Sequence, residues 1–310
     1  MLADTHILVT GGNGYVGQHL CQALLQRGAR VSKIVRSSLS VPGLPAAQYT
    51  LDLTERDKVD AVFAKLEPDY VIHLAGSKNR INDVTKYSDS YNDNVTMSLN
   101  VIHACRSLVG FKRMIFLGTC DEYGHAPAPY SESQKTVPTG AYGLSKLAVT
   151  QILCGLFHSH QFPSVVLRPS VIYGPGQGKE MFLSALIQSL LAGNDFPMTA
   201  GEQRRDFVYI HDVIEAIVKV IEAGEHVNGE LINIGAGVSH RVRDVAYKVA
   251  DLIAPDSRRL IQLGAVEYRR SEVMEYSLVI DHAKEMLNWY PRTNLEEGLH
   301  QTIKHFKEHD

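Results

Sequence analysis

The chain has no long apolar run, no block of basic residues, no closely spaced cysteines and a single tryptophan. No stretch approaches the roughly 20 apolar residues of a membrane-spanning helix, so no membrane partner is expected. Net charge is −3 with no basic stripe, so the electrostatic footprint of a nucleic-acid binder is missing too. Cys21, Cys105, Cys120 and Cys154 form no Cys-x-x-Cys pair, and the 14 histidines have no metal-ligand spacing; no metal is expected. Cys21, Cys105 and Cys154 sit in helical apolar patterns and read as small core residues. Asp4 and His6 lead directly into a strand, which is not the pattern of a secretory leader. A reduced, cytoplasmic setting is therefore expected.

What remains is a soluble α/β pattern. With 45% hydrophobic and 21% charged residues over 310 positions, the chain can bury the core of one large or two modest domains. Its organising stretch is Thr10-Gly11-Gly12-Asn13-Gly14-Tyr15-Val16-Gly17. It follows the apolar run Ile7-Leu8-Val9, a buried strand, and leads into an apolar pattern of helical spacing that Gly28 closes. Gly11 permits the tight turn, Gly14 lets backbone approach a pyrophosphate, and Gly17 lets the helix pack close to the strand. The anion would rest on the N–H groups at the helix N-terminus.

Further strands are expected at residues 30–35, 48–51, 68–76 (running into a glycine turn), 112–117 and 164–167, with helices between them. Thr54 is expected to cap the helix over 55–66. Residues 91–108 are expected to form one helix, with Val95, Leu99, Ile102 and Ala104 or Cys105 as its apolar stripe. This alternation predicts a doubly wound parallel sheet over residues 1–175. Beyond residue 176 it weakens, and residues 176–310 read as a smaller mixed α/β portion covering a cleft, the chain being free to cross between the two. At the end of the second strand stand Arg36, Ser37 and Ser38, where an acidic residue would select NAD. A guanidinium and hydroxyls suit a 2′-phosphate, so NADP(H) is preferred, with NAD(H) possible. Tyr142 and Lys146, four apart, share one helix face. A free phenol has a pKa of about 10, and an ammonium one turn away favours the phenolate. Thr119, at the end of the fifth strand, can hold a substrate oxygen beside that phenol.

Several motifs follow one another in order: the glycine stretch, Asp52-Leu53, His73-Leu74-Ala75-Gly76, Asn94-Val95, Thr119 before Tyr123-Gly124, Tyr142-x-x-x-Lys146, Arg168-Pro169, Tyr173-Gly174-Pro175, Arg205-Asp206-Phe207 and Gly298-Leu299. Together they resemble the extended short-chain dehydrogenase/reductase family of NAD(P)-dependent nucleotide-sugar epimerases, dehydratases and ketoreductases, with its Rossmann fold. The resemblance implies that Asp52 and Leu53 meet the adenine. Leu74, Ala75, Gly76, Asn94 and Pro169 would line the rest of the cofactor. Arg205 and Arg270 would pair with a substrate diphosphate. Ser170 stands where many relatives have an asparagine that holds substrate phosphates. Cys120 and Asp121 stand where sugar 4,6-dehydratases carry an acidic pair, Asp121 being the one acid in register, unless Glu122 shifts into it.

The expected substrate is a nucleoside-diphosphate sugar, and the expected reaction is reduction of a 4-keto-6-deoxyhexose. The alternatives are 4-epimerisation, then 4,6-dehydration, then a non-catalytic, NADP-binding regulatory subunit. The resemblance also implies a homodimer in which helices 91–108 and 141–158 form a four-helix bundle. Val95, Leu99, Leu147 and Ile152 are candidates for its interface.

Overall fold

The computed structural model describes residues 2–37, 45–77 and 85–309; Ser38 lies outside them. In chain order the elements are β1 (His6–Thr10), α1 (Tyr15–Gln26), β2 (Arg30–Val35), β3 (Ala47–Thr50), α2 (Arg56–Leu66), β4 (Tyr70–His73), α3 (Thr85–Tyr91), α4 (Met97–Arg106), β5 (Arg113–Leu117), α5 (Ala141–His160) and β6 (Ser164–Pro169). They are followed by β7 (Val171–Tyr173), α6 (Phe182–Leu191), β8 (Phe196–Met198), β9 (Arg204–Tyr209), α7 (Ile210–Glu222), β10 (Leu231–Ile234), β11 (Ser239–Arg241) and α8 (Val242–Ile253). The chain ends with β12 (Ile261–Leu263), β13 (Glu275–Tyr276), α9 (Asp281–Leu287) and α10 (Leu295–His309).

Seven parallel strands form the main sheet in the order β10-β6-β5-β4-β1-β2-β3. Ile7, Leu8 and Val9 are wholly buried, as a strand covered on both faces requires. One face packs against α1 and α7 through residues such as Leu20 and Ile217, and the same apolar cluster continues into α6 and α8, which pack on each other around Leu186 and Ala246. The other packs against α2, α4 and α5 through Phe63, Ile102 and Val149. β10 comes from beyond residue 176, so the sheet of the N-terminal half is completed by a later segment. The strand order reverses between β1 and β4, which opens a crevice at their carboxyl ends. A smaller sheet, β11-β9-β13 with β7 on β9, stands beyond it. No helix among the described residues is long and apolar enough to cross a membrane.

Two local expectations are corrected. Thr54 does not cap α2: Glu55 holds the N-cap position without a side-chain bond, and the Thr54 hydroxyl donates to Asp52 at 2.8 Å. The expected helix over 91–108 is broken, because residues Asn92–Thr96 form a π-helical turn between α3 and α4. The extra residue per turn rotates the stripe. Val95, Ile102, Ala104 and Cys105 are buried, but Leu99 is 44% exposed.

Candidate active site

The glycine turn lies at the crevice. Gly11 has a φ of 70°, and a Cβ there would come within 2.8 Å of the Ala75 nitrogen, so both conformation and space require glycine. A Cβ on Gly17 would come within 2.3 Å of the Gly11 carbonyl, which is how α1 packs down onto the turn. Gly14 is the N-cap of α1 and offers no side chain to its first turn. A Cβ at Gly14 would meet only the Gly11 oxygen, at 3.1 Å. The N–H groups of the first turn of α1 thus receive no side-chain cap from Gly14, which leaves them to an anion such as a pyrophosphate. Asn13 is turned inward: its Oδ1 accepts from Lys33 Nζ at 2.9 Å and its carbonyl accepts from Gln18 at 2.8 Å. Lys33 is 2% exposed, and its stem fills the space where a Gly12 side chain would stand. This buried ammonium adds positive charge beneath the turn. Sequence reading missed it, because a lysine inside a strand looks like a solvent-facing position.

Arg36 and Ser37 are exposed at the carboxyl end of β2. The Asp52 carboxylate accepts the Thr54 N–H and hydroxyl, at 2.9 and 2.8 Å. Those bonds, with lesser help from Arg36 and Lys58, hold its pKa below the usual carboxylate value. The Leu53 side chain is buried in the core, and its carbonyl accepts from Asn100 at 2.9 Å.

At the end of β4, Leu74 and Ala75 are half-buried and Gly76 is exposed. A Cβ on Gly76 would lie 3.0 Å from Asn94 Oδ1 and 3.4 Å from Lys146 Nζ, so three residues far apart in sequence meet there. Asn94 sits in the π-helical turn. Its amide accepts from the Ser77 N–H at 2.7 Å and donates to Ser145 Oγ at 2.8 Å. Lys146 Nζ donates to the Leu117 carbonyl at 2.8 Å and lies 4.5 Å from the centre of the Phe116 ring. Tyr142 is half-buried one turn earlier on α5. Thr119 follows β5 in extended conformation and caps the short turn Cys120–Glu122, its Oγ accepting the Asp121 N–H at 3.2 Å. That turn packs against the start of α5, since a Cβ on Gly143 would lie 2.6 Å from the Asp121 carbonyl oxygen.

The residues around Thr119 divide sharply. Glu122 is wholly buried. It accepts the Thr119 N–H at 3.0 Å and the Arg168 Nε–H at 2.8 Å. Burial pushes its carboxyl up, against the pull of Arg168. It is held behind the loop and does not shift into the dehydratase register. Cys120 is buried in a small cluster with Tyr123, Tyr130, Leu278 and Ile280. Asp121 faces the Tyr276 hydroxyl, and its negative charge, after burial, helps push that phenol's pKa up. Pro169 ends β6 opposite Ile234. The Ser170 hydroxyl is already committed to Asp206, at 3.0 Å. Asp206 also accepts the N–H groups of Ala236 and Gly237, at 2.7 and 3.0 Å, and so ties β9 to the turn after β10. Arg205 is stacked 4.6 Å above the Tyr276 ring and ion-paired with Glu272. Arg270 is exposed in a separate turn. Among the described residues no cluster of His, Cys, Asp and Glu could hold a metal ion.

A glycine turn at the switch point of a parallel sheet, with a tyrosine–lysine pair beside the next strand ends, defines a Rossmann protein of the short-chain dehydrogenase/reductase type. The chain belongs to the NAD dependent epimerase/dehydratase family, whose model matches residues 7–235. It is 27% identical, over 96% of its length and 95% of the relative's, to a dTDP-6-deoxy-L-talose 4-dehydrogenase (NAD(P)(+)) of Kitasatospora kifunensis. It is 26% identical, over 98% of its length, to an Arabidopsis thaliana trifunctional UDP-glucose 4,6-dehydratase/UDP-4-keto-6-deoxy-D-glucose 3,5-epimerase/UDP-4-keto-L-rhamnose-reductase. The chain spans about half (47%) of that plant relative's length. Among solved structures, UDP-glucose 4-epimerase of Thermotoga maritima with UDP-glucose superposes with a TM-score of 0.90 at 26% identity, covering 98% of this chain and 99% of that one.

Proposed function

We propose that the protein is an NADP(H)-preferring reductase of a nucleoside-diphosphate-linked 4-keto-6-deoxyhexose, with NAD(H) as a possible substitute. The observation that carries this reading is the fate of the acids around Thr119. Glu122 is locked to Arg168 and to backbone, Cys120 lies in an apolar cluster, and Asp121 is engaged by Tyr276. Dehydration needs a base for one sugar proton and an acid for a departing hydroxyl; reduction at C4 needs neither. The named activity of the Kitasatospora relative, on a nucleotide-linked 6-deoxyhexose at position 4, supports the same choice.

Gly11, Gly14, Tyr15, Val16 and Gly17 would hold the cofactor pyrophosphate, with Lys33 balancing charge from below. Arg36 and Ser37 would receive the 2′-phosphate, Asp52 and Leu53 would lie at the adenine, and Leu74 to Gly76, Asn94 and Pro169 would line the remainder. When bound, the nicotinamide supplies the hydride delivered to C4. Tyr142 gives its proton to the oxygen developing negative charge at that carbon. Lys146, fixed by Leu117 and close to Gly76 and Asn94, favours the phenolate that results and can donate to the cofactor ribose. The Thr119 hydroxyl orients the same sugar oxygen. Arg205 would take the substrate diphosphate, exchanging Glu272 for it. Arg270 is a weaker candidate for that role because it stands apart. Ser170 acts indirectly, through Asp206.

Epimerisation at C4 uses the same groups, and the likeness to the Thermotoga epimerase supports it as the second reading. We place the protein in the cytoplasm, consistent with four free cysteines. The test is incubation of the purified protein with NADPH and a panel of UDP-, dTDP- and GDP-linked 4-keto-6-deoxy sugars. Reduction should occur on at least one, and Tyr142→Phe should abolish it while still binding NADPH. Cofactor binding with no turnover on any sugar would instead indicate a regulatory subunit.

A further inference from the structure

His73, the last residue of β4, is wholly buried. Its Nδ1 lies 2.7 Å from Thr10 Oγ and its Nε2 lies 2.9 Å from Ser98 Oγ. Counting protons fixes the direction at Ser98, and the charge of the ring fixes the one at Thr10. The Ser98 hydroxyl has one proton, and it goes to the Asn94 carbonyl at 2.6 Å. Toward His73, Ser98 can therefore only accept, so Nε2 carries hydrogen. The ring is neutral, because burial and the nearby Lys146 push its pKa down to about 3. Nδ1 is then bare and accepts the Thr10 hydroxyl proton, and Thr10 Oγ is left to accept the Ala75 N–H at 3.3 Å.

The run continues past Ser98. The Asn94 side chain donates to Ser145 Oγ, and the Ser145 hydroxyl donates to the Tyr142 carbonyl at 2.9 Å. One end of the network is thus Thr10, the residue before Gly11, and the other is the backbone of Tyr142. We propose that His73 is a positioning residue: held as the Nε2–H tautomer, it locks the glycine turn to the helix bearing Tyr142 through Ser98 and Asn94. This rests on the reading of those two places as the cofactor turn and the proton donor. His73 touches neither substrate nor reacting atoms in that reading. Its ring alone supplies a donor and an acceptor on opposite edges. An asparagine reproduces about the Nδ1 side and leaves Ser98, 1% exposed, without its donor.

The test uses the full chain with 15N-labelled histidine, and His73→Asn, Ser98→Ala and the double variant. The imidazole resonance absent from His73→Asn should report the Nε2–H tautomer at pH 7. An Nδ1–H tautomer or an imidazolium there overturns the proposal. Each single variant should weaken binding of NADPH, or of NADH if that is the tighter cofactor, by about tenfold, the worth of one hydrogen bond. The double variant should be no weaker than the worse single one, since both cut the same link. A lowered thermal midpoint with cofactor affinity within twofold of the parent, or additive losses in the double variant, would show a merely structural histidine. If the parent binds cofactor but reduces no keto sugar, the reductase reading fails, while the tautomer and binding measurements still decide this one.

Discussion

Replacing Glu122 by glutamine should cost the protein about 3–5 kcal/mol of stability, the penalty for leaving one partner of a buried ion pair uncompensated. The side chains of Glu122 and Arg168 are 0% and 2% exposed, so neither charge has water to fall back on. A glutamine can keep the Thr119 N–H as a donor to its oxygen, but its NH2 group then faces the Arg168 Nε–H, donor against donor. Arg168 keeps its position 4.6 Å above the Tyr123 ring, worth up to about 2 kcal/mol when desolvated. Measured against a total stability of about 5–15 kcal/mol, the loss is a large share. It should appear as a fall in the urea midpoint at unchanged slope. Converting the pair to apolar residues, Glu122→Val with Arg168→Met, should recover more than half of it, because removing both charges removes the penalty. A loss under about 1 kcal/mol for the glutamine variant, the scale of a surface ion pair, would refute the reasoning. So would a double variant as unstable as the single.

Three further outcomes are expected. Arg36→Ala should weaken NADPH binding by on the order of 1.5–3 kcal/mol and leave NADH nearly unchanged, so an unaltered preference would remove the case for the 2′-phosphate. Burial pushes Asp206 up to about 6 from 3.8, against its bonds from Ala236, Ser170 and Gly237. A carboxyl with a raised folded pKa adds stability below its unfolded value and loses it as pH rises through the folded one. The stability of the parent relative to Asp206→Asn should therefore fall by about 2 kcal/mol between pH 4 and 7, and a constant or rising difference would contradict the assignment. We also expect a homodimer, because Tyr91, Leu99 and Leu144 are 54%, 44% and 41% exposed on α3, α4 and α5. Light scattering at micromolar concentration should give twice the chain mass, and Leu99→Glu with Leu144→Glu should give the monomer; a monomeric parent would end the idea.

What could be read from the sequence was local. The glycine turn, the Tyr142–Lys146 spacing and the long strands are each written in a few consecutive residues, and each lies where its period and punctuation place it. What could not be read was made by distance in the chain. Glu122 and Arg168 are 46 residues apart, and nothing at either position announces that they meet. Ser170 and Asp206 are likewise joined only by the fold, which ties the Ser170 hydroxyl to β9. Lys33 is hidden because its partner Asn13 belongs to another element. The π-helical turn at Asn94 escaped a reading based on a 3.6-residue period, since one inserted residue leaves the apolar pattern almost intact and only turns Leu99 outward. The short strands β7, β8, β11, β12 and β13 have two or three residues each, too few to show alternation.

The fate of the nicotinamide separates the candidate reactions. A reductase consumes reduced cofactor in step with substrate, whereas an epimerase or dehydratase returns it to its starting state. Absorbance at the reduced-nicotinamide band, followed alongside the sugar product, should show one NADPH oxidised for each nucleotide-linked 4-keto-6-deoxyhexose reduced. Interconversion of two sugar epimers without net cofactor consumption, or loss of water from an unmodified nucleotide-linked hexose, would contradict the reductase reading.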